Sequence, residues 1–140
     1  MSAITTTPTA TISSVPTVGS LLRDGAAATV LAAVATAAVA AAGQAVGFSL
    51  DVAGATIPAS GFATLTVIFA VIGLLIAAGL RRFARHPRTT WIRTTVALTV
   101  LSLVPDVLAD AATSTKILLM VTHLVAAAIV IPAVARRLRA

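Results

Sequence analysis

The chain has 140 residues, of which 59% are hydrophobic and 10% are charged, and its mean hydropathy is +1.06. A soluble domain carries about 25% charged residues, so this composition excludes an ordinary soluble protein and indicates a membrane protein. The absence of cysteine excludes disulfides, thiolate metal sites and cysteine nucleophiles, and the net charge of +6 does not predict nucleic-acid binding, because the basic residues stand at the ends of hydrophobic runs.

The N-terminal segment of residues 1–22 is rich in Ser, Thr and Pro and shows no hydrophobic periodicity. It predicts a disordered tail, followed by one transmembrane domain over residues 23–140. A signal peptide is the alternative, with Arg23 as its basic flank and the sequence AVA at residues 38–40 as its cleavage site. Retention of the segment is favoured, because the apolar run is long for a signal peptide and Arg23 lies far from the start.

Four hydrophobic runs approach the roughly 20 residues that a membrane-spanning helix needs. They cover residues 26–48, 62–80, 91–109 and 117–135. The connections between them are the loops SLDVAGATIPAS and RRFARHPRTTW and the short hairpin DAATSTK. The predicted fold is all-α, a polytopic transmembrane four-helix bundle.

The basic residues predict the orientation of this bundle. With four spans, the arginines all fall on one side of the membrane and Lys116 falls on the other. Lys and Arg are retained on the cytoplasmic side, so both termini and the middle loop are predicted to be cytoplasmic. The middle-loop arginines expected to contact anionic lipid headgroups are Arg81, Arg82, Arg85 and Arg88.

Small or polar residues recur every three or four positions along each span, as expected for the faces through which helices pack in lipid. On the third span this stripe consists of Thr95, Thr99, Ser102, Asp106 and Asp110. The G-x-x-x-G match at residues 43–47 lies on a similar stripe of the first span. Internal packing is favoured over dimerisation for this match, because the stripe continues along the whole span.

Asp106 on the third span and His123 on the fourth are predicted to lie at similar depths, near the outer ends of antiparallel helices. A hydrogen bond between them is geometrically possible, and intramembrane Asp and His residues commonly pair and mark function. Pro105 leaves the carbonyl of Leu101 without its helical partner, so a hydrated pocket is expected there. Asp106 and His123 form the candidate catalytic pair, and the other candidate pocket residues are Ser102, Gln44, Asp110, Thr99 and Met120.

Each candidate also has a structural interpretation. Asp106 is equally compatible with a shallow position that reaches the interface, and His123 with a neutral ring that donates to a helix carbonyl. Asp110 is expected to be the solvated end of the third helix, or to pair with Lys116. The spacing of the two aspartates and the histidine specifies no metal, and no cofactor is predicted. The sequence lacks the motifs of nucleotide, dinucleotide, zinc-protease and serine-hydrolase sites.

The stretches WIRTTVALTVLSLVPDVLAD and ILLMVTHLVAAAIVIPAVARRL resemble a family of small actinobacterial membrane proteins with a domain of unknown function. The resemblance implies four spans, with a Ser-Leu-x-Pro element in the third and a Met and His-Leu element in the fourth, and it implies no activity. The matching positions here are Ser102, Leu103, Pro105, Met120, His123, Leu124 and Pro132. The excess of Arg over Lys in an Ala-rich chain also agrees with a GC-rich bacterial source, so the predicted location is the bacterial cytoplasmic membrane.

Three functions stay open at this point. The first is a non-catalytic membrane protein, either an accessory subunit of a larger complex or a bundle that binds a small ligand or lipid in an Asp/His pocket. The second is a membrane-embedded acid-base enzyme on a lipophilic substrate, in which Asp106 and His123 exchange a proton and Ser102 or Gln44 orients the substrate. The third is a proton-coupled exporter in which Asp106 titrates, a function for which four short spans would have to oligomerise. The lipid bilayer is the expected partner, and nucleic acid is not.

Overall fold

A computed structural model describes residues 17–138 as four long α-helices and one short β-hairpin. Each helix is long and apolar enough to cross a bilayer, so the predicted transmembrane four-helix bundle is confirmed. The side of the membrane on which the termini lie stays a prediction. In chain order the elements are α1 Val18–Ala45, β1 Asp51–Val52, β2 Ala55–Thr56, α2 Ala59–Phe83, α3 Pro87–Leu108 and α4 Thr113–Ala135.

Helix α1 begins earlier than the sequence analysis placed it. Thr17 is its N-cap, because the Oγ1 atom accepts a hydrogen bond from the Ser20 N–H at 3.1 Å. Residues 18–22, assigned to the tail, therefore belong to the helix. The rest of the predicted tail, residues 1–16, lies outside the described residues, and the signal-peptide alternative stays untested.

The loop between α1 and α2 contains a β-hairpin that the sequence analysis did not predict. Its strands pair antiparallel, and its turn residues Ala53 and Gly54 both have positive φ, 51° and 77°, as a two-residue type I′ turn requires. The Ala53 N–H donates to the carbonyl of Asp110 at 2.8 Å. Thr115 of α4 donates through its hydroxyl to the carbonyl of Ser49 at 2.5 Å. The hairpin thus ties together both connections at its end of the bundle, which we call the hairpin end.

Helix α1 packs closely against α2 and α4. A Cβ atom on Gly25 would clash with Cδ2 of Leu74 on α2, and one on Gly43 would lie 2.9 Å from Cδ2 of Leu118 on α4. These glycines allow the backbones to approach, which is how helices associate where lipid is as apolar as Leu. Gly43 of the G-x-x-x-G match therefore serves internal packing, whereas Gly47 lies beyond the end of α1 and a Cβ atom there would contact nothing within 4 Å. We call the contacts of α1 with α2 and α4 the closed seam.

The opposite end of the bundle, where residues 84–86 join α2 to α3, is the arginine end. Its core contains the largest buried side chain, Trp91, packed in one cluster with Leu21, Leu74 and Val134. Asp24 of α1 lies between two arginines there and accepts from Nε of Arg137 at 2.6 Å. This ion pair, which the sequence analysis did not predict, fastens the start of α1 to the segment that follows α4.

Candidate functional site

The candidate site begins at a pair of polar side chains between α3 and α4. Nδ1 of His123 lies 2.7 Å from Oδ2 of Asp106, and Asp106 is buried, with 7% of the residue exposed. His123 is half-buried. Intramembrane ionisable groups that face a bundle interior are costly unless they are paired, and here each supplies the partner of the other.

The surroundings of His123 fix which ring nitrogen carries a proton. Nδ1 lies near two acceptors, the carboxylate of Asp106 and the carbonyl of Leu119 at 3.2 Å. A carbonyl has no hydrogen to donate, and neither has an ionised carboxylate, so with Asp106 ionised Nδ1 bears the proton in both charge states of the ring. In the neutral ring Nε2 is then the free lone pair, and it is the nitrogen left for a ligand.

A cavity of about 340 Å³ lies between α2, α3 and α4. His123 and Ser102 line its part nearer the hairpin end, and Trp91 and Ile131 line its part nearer the arginine end. Most of the lining is apolar, with hydroxyl groups of Ser and Thr distributed along it. The hydroxyl-bearing residues that line the cavity are Thr66, Thr94, Thr95, Thr99, Ser102 and Thr122.

The cavity exists because α2 and α3 do not close against each other. Both helices pack mainly on other partners, α2 on α1 and α3 on α4, and one contact between the two is that of the Trp91 ring with Gly73. Leu65, Phe69 and Leu98 line the cavity and are nevertheless exposed. The space between α2 and α3, which we call the open seam, therefore opens sideways to the surroundings, which in a transmembrane bundle are lipid.

The structure places the predicted site residues in different surroundings. Thr99, Ser102 and His123 line the cavity, and Asp106 lies behind His123 as its hydrogen-bond partner. Asp110 is exposed beyond the end of α3, and Lys116 donates to the carbonyl of Val107 at 3.1 Å instead of approaching it.

Two candidates lie outside the cavity lining. Gln44 is exposed on α1, which contributes no side chain to the cavity among the described residues, because α1 occupies the closed seam on the other side of α2 and α4. Met120 is half-buried on α4, whose cavity-lining positions are instead Leu119, Thr122 and His123. Neither residue is positioned to orient a ligand in this cavity.

Trp91 and Thr122 are site residues that the sequence analysis missed. The indole of Trp91 lines the cavity, and its Nε1–H donates to the carbonyl of Ile131 at 3.1 Å. The available signal was position: Trp91 continues the stripe of Thr95 and Thr99 by one more helical turn. Nothing comparable marks Thr122, which lies on the buried face of α4 shared with Leu118.

The loop residue Asp51 is held by local hydrogen bonds and takes no part in the cavity. The Thr56 hydroxyl, and after it the Ser49 hydroxyl, donates to the carboxylate and lowers the pKa of Asp51 below its ordinary value. Within residues 17–138, no three His, Asp or Glu side chains come together in an arrangement that would hold a metal ion.

Comparison with known proteins places the chain in a family. No curated protein and no solved structure matches it significantly. The model of one family does match, over residues 16–140, which is nearly the whole chain. Four apolar helices agree with the four spans that the resemblance implied. The chain belongs to DUF6069, a family of unknown function.

Proposed function

We propose that this protein binds a small lipophilic ligand, which enters its cavity from the bilayer through the open seam and places a polar group against His123. The observation that carries the proposal is an apolar cavity, open toward lipid, with half-buried His123 on its wall and buried Asp106 bonded to it from behind. Sites for small molecules are typically apolar pockets with a few fixed polar groups that orient the ligand.

The size of the cavity limits the ligand. A volume of about 340 Å³ stands at the lower end of the range of roughly 300 to 1,000 Å³ that small-molecule sites occupy. The lining residues of α4 run from Leu119 to Ile131, which are twelve positions or about 18 Å apart along the helix axis. These dimensions favour a single hydrocarbon chain or a compact lipophile.

The chain offers a built-in reporter for ligand binding, because Trp91 is its single tryptophan and lines the cavity. We expect ω-bromodecanol, whose bromine quenches indole fluorescence on contact, to quench Trp91 saturably in the full-length protein in lipid nanodiscs. Ala127→Phe fills the cavity and should weaken this quenching at least fivefold. Ala128→Phe adds the same ring on an exposed position of α4 outside the cavity and should leave it unchanged. Equal quenching in all three proteins would refute the proposal.

A second candidate function, an acid-base enzyme on a lipophilic substrate, is favoured by the fixed tautomer of His123. A carboxylate on Nδ1 that leaves Nε2 as the base is the arrangement that positions a histidine for proton transfer. In that case Asp106→Asn should abolish turnover of the bound compound while Trp91 quenching persists. Recovery of the native ligand chemically unchanged from the wild-type protein would exclude this candidate.

We also propose that the arginine end faces the cytoplasm of a bacterial cytoplasmic membrane and contacts anionic headgroups there. The support is the distribution of charge, since Arg82, Arg85 and Arg88 are exposed at that end, Arg81 is half-buried there, and Lys116 lies at the other. The chain has no cysteine, so single cysteines report topology directly. An impermeant maleimide should label Ala53→Cys in intact cells and Arg85→Cys only after permeabilisation. The reverse pattern would overturn this orientation.

A further inference from the structure

The polar side chains that line the cavity, with the exception of Thr94, already donate their hydroxyl, indole or imidazole hydrogens to acceptors within the protein. On α3, the Thr95 hydroxyl donates to the carbonyl of Trp91 at 2.7 Å, the Thr99 hydroxyl to that of Thr95 at 2.8 Å, and the Ser102 hydroxyl to that of Thr99 at 2.7 Å. On the facing helices, Thr122 donates to Leu119 at 2.7 Å and Thr66 donates to Phe62 at 2.7 Å.

The same holds for the nitrogen donors that line the cavity. The indole N–H of Trp91 is bonded to the carbonyl of Ile131, and the Nδ1–H of His123 faces Asp106. Thr94, nearer the arginine end, is the one cavity hydroxyl without such a bond among the described residues. The backbone N–H groups of the lining are engaged within the helices.

What these groups present to a ligand is therefore lone pairs. A hydroxyl that has donated its hydrogen to the preceding turn keeps acceptor capacity on its oxygen, and neutral His123 keeps a lone pair on Nε2. Near His123 and Ser102, a ligand that brings only acceptors would meet acceptors, and its polar group would be desolvated without a partner. A ligand with an O–H or N–H group would find several partners near His123 and Ser102.

We infer that the ligand of this cavity carries a neutral hydrogen-bond donor, such as a hydroxyl or amide N–H, at the end of a lipophilic body, and that carboxylates and ethers are rejected. This inference rests on the proposed binding function and names the ligand class of the same site. The donor would bond Nε2 of His123 or the Oγ atom of Ser102, with the hydrocarbon part toward Trp91.

The test compares three probes with the same brominated chain: ω-bromodecanol, ω-bromodecyl methyl ether and ω-bromodecanoate. We expect the alcohol to quench Trp91 with at least tenfold higher affinity than the ether or the carboxylate, after correction for partition into nanodiscs of a neutral lipid. If none of the probes quenches more than it does in Ala127→Phe, the proposed binding function fails. If quenching is saturable but the ether or the carboxylate equals the alcohol, binding stands and the inference about ligand class is overturned.

Two variants locate the acceptor. His123→Ala should reduce the ratio of the affinity for the alcohol to the affinity for the ether to less than threefold, while the affinity for the ether changes little. An affinity for the ether that is nearly unchanged shows that the variant has lost a hydrogen-bond acceptor and that its cavity has not collapsed. Ser102→Ala changes fewer atoms and should reduce the same ratio by a smaller factor, so it serves if His123→Ala does not fold. Ser60→Ala, on an exposed position outside the cavity, is the matched control. An unchanged ratio in both cavity variants would contradict the inference.

Discussion

The helices pack closely along the closed seam of this bundle and leave a cavity along the open seam. Along the closed seam, glycines let α1 approach its neighbours and hydroxyls bond across helices, as Thr36 and Thr66 do at 2.9 Å. Along the open seam, α2 and α3 are neighbours in sequence but present exposed Leu and Phe side chains beside a cavity. In lipid, apolar surface gains nothing by burial, so contact requires close fit or polar bonds. A seam without either stays open and is available to a ligand.

The largest expected effect is on the closed seam. Gly25→Val would place its side chain into Leu74, whose Cδ2 atom is too close to leave room even for a Cβ atom, so either the Leu74 side chain must turn away or the helices must separate. We expect a loss of about 3 kcal/mol in the free energy of unfolding, as in overpacked interiors. Gly79→Val, where a Cβ atom would contact nothing within 4 Å, is the control for the helix propensity of valine. Denaturation in mixed micelles measures both, and equal losses would mean that the α1–α2 approach is not tight.

The next effect concerns the polar pair beside the open seam. His123→Ala leaves the buried Asp106 carboxylate without its histidine partner, which should cost about 2 kcal/mol. Leu124→Ala, on the exposed side of the same helix, should cost clearly less. The same denaturation assay applies. If the histidine variant is as stable as the wild type, the pair contributes nothing to holding α3 on α4.

A smaller effect is expected from the hydroxyl pair of the closed seam. Thr36→Val keeps the shape of a buried side chain and removes its interhelical hydrogen bond, so we expect a loss of about 0.6 kcal/mol, the average for such bonds in membranes. Thr64→Val removes a hydroxyl that bonds only within its own helix, to Ser60, and should change stability less. A double variant with Thr66→Val should add little to Thr36→Val if the two hydroxyls act as a pair.

The smallest effect lies outside the membrane, in the β-hairpin. Because hydrogen bonds lower the folded-state pKa of Asp51, its contribution to stability is fully present above the unfolded pKa of about 3.9 and disappears as the pH falls through the folded value. Asp51→Asn should therefore reduce thermal stability slightly at pH 7 and not at pH 2. Thr56→Val removes the main donor and should reproduce this pH dependence. A difference in thermal stability that does not change with pH would show that the hydrogen bonds of the hairpin do not stabilise the ionised carboxylate of Asp51.

The helices were predictable from the sequence, and most of their contacts in space were not. Hydropathy gave the four spans because each helix must present apolar residues to lipid, but the start of α1 depends on the cap at Thr17, which hydropathy does not register. The ion pair of Asp24 with Arg137 joins residues far apart in sequence, so no local pattern indicates it. The turn of the hairpin consists of Ala53 and Gly54, and an Ala-Gly pair predicts a two-residue turn less strongly than Asn-Gly does.

For the candidate site, helical spacing grouped Thr99, Ser102 and Asp106 on one face of α3, and antiparallel geometry put His123 at a matching depth. The rotation of each helix about its own axis is set by packing and is not given by depth, which is why Gln44 and Met120 were included although they lie outside the cavity. The cavity itself results from a contact that α2 and α3 do not make. A sequence pattern of small residues predicts where helices pack together, but no such pattern predicts where two helices remain apart.

The most direct test of the open seam is an experimental structure of the full-length protein in nanodiscs of bacterial lipids. We predict an elongated density between α2 and α3, with its polar end within hydrogen-bonding distance of Nε2 of His123 and its chain directed toward Trp91. Helices α2 and α3 in direct contact along their length, or an imidazole of His123 turned away from Asp106 into the acyl chains, would contradict the account.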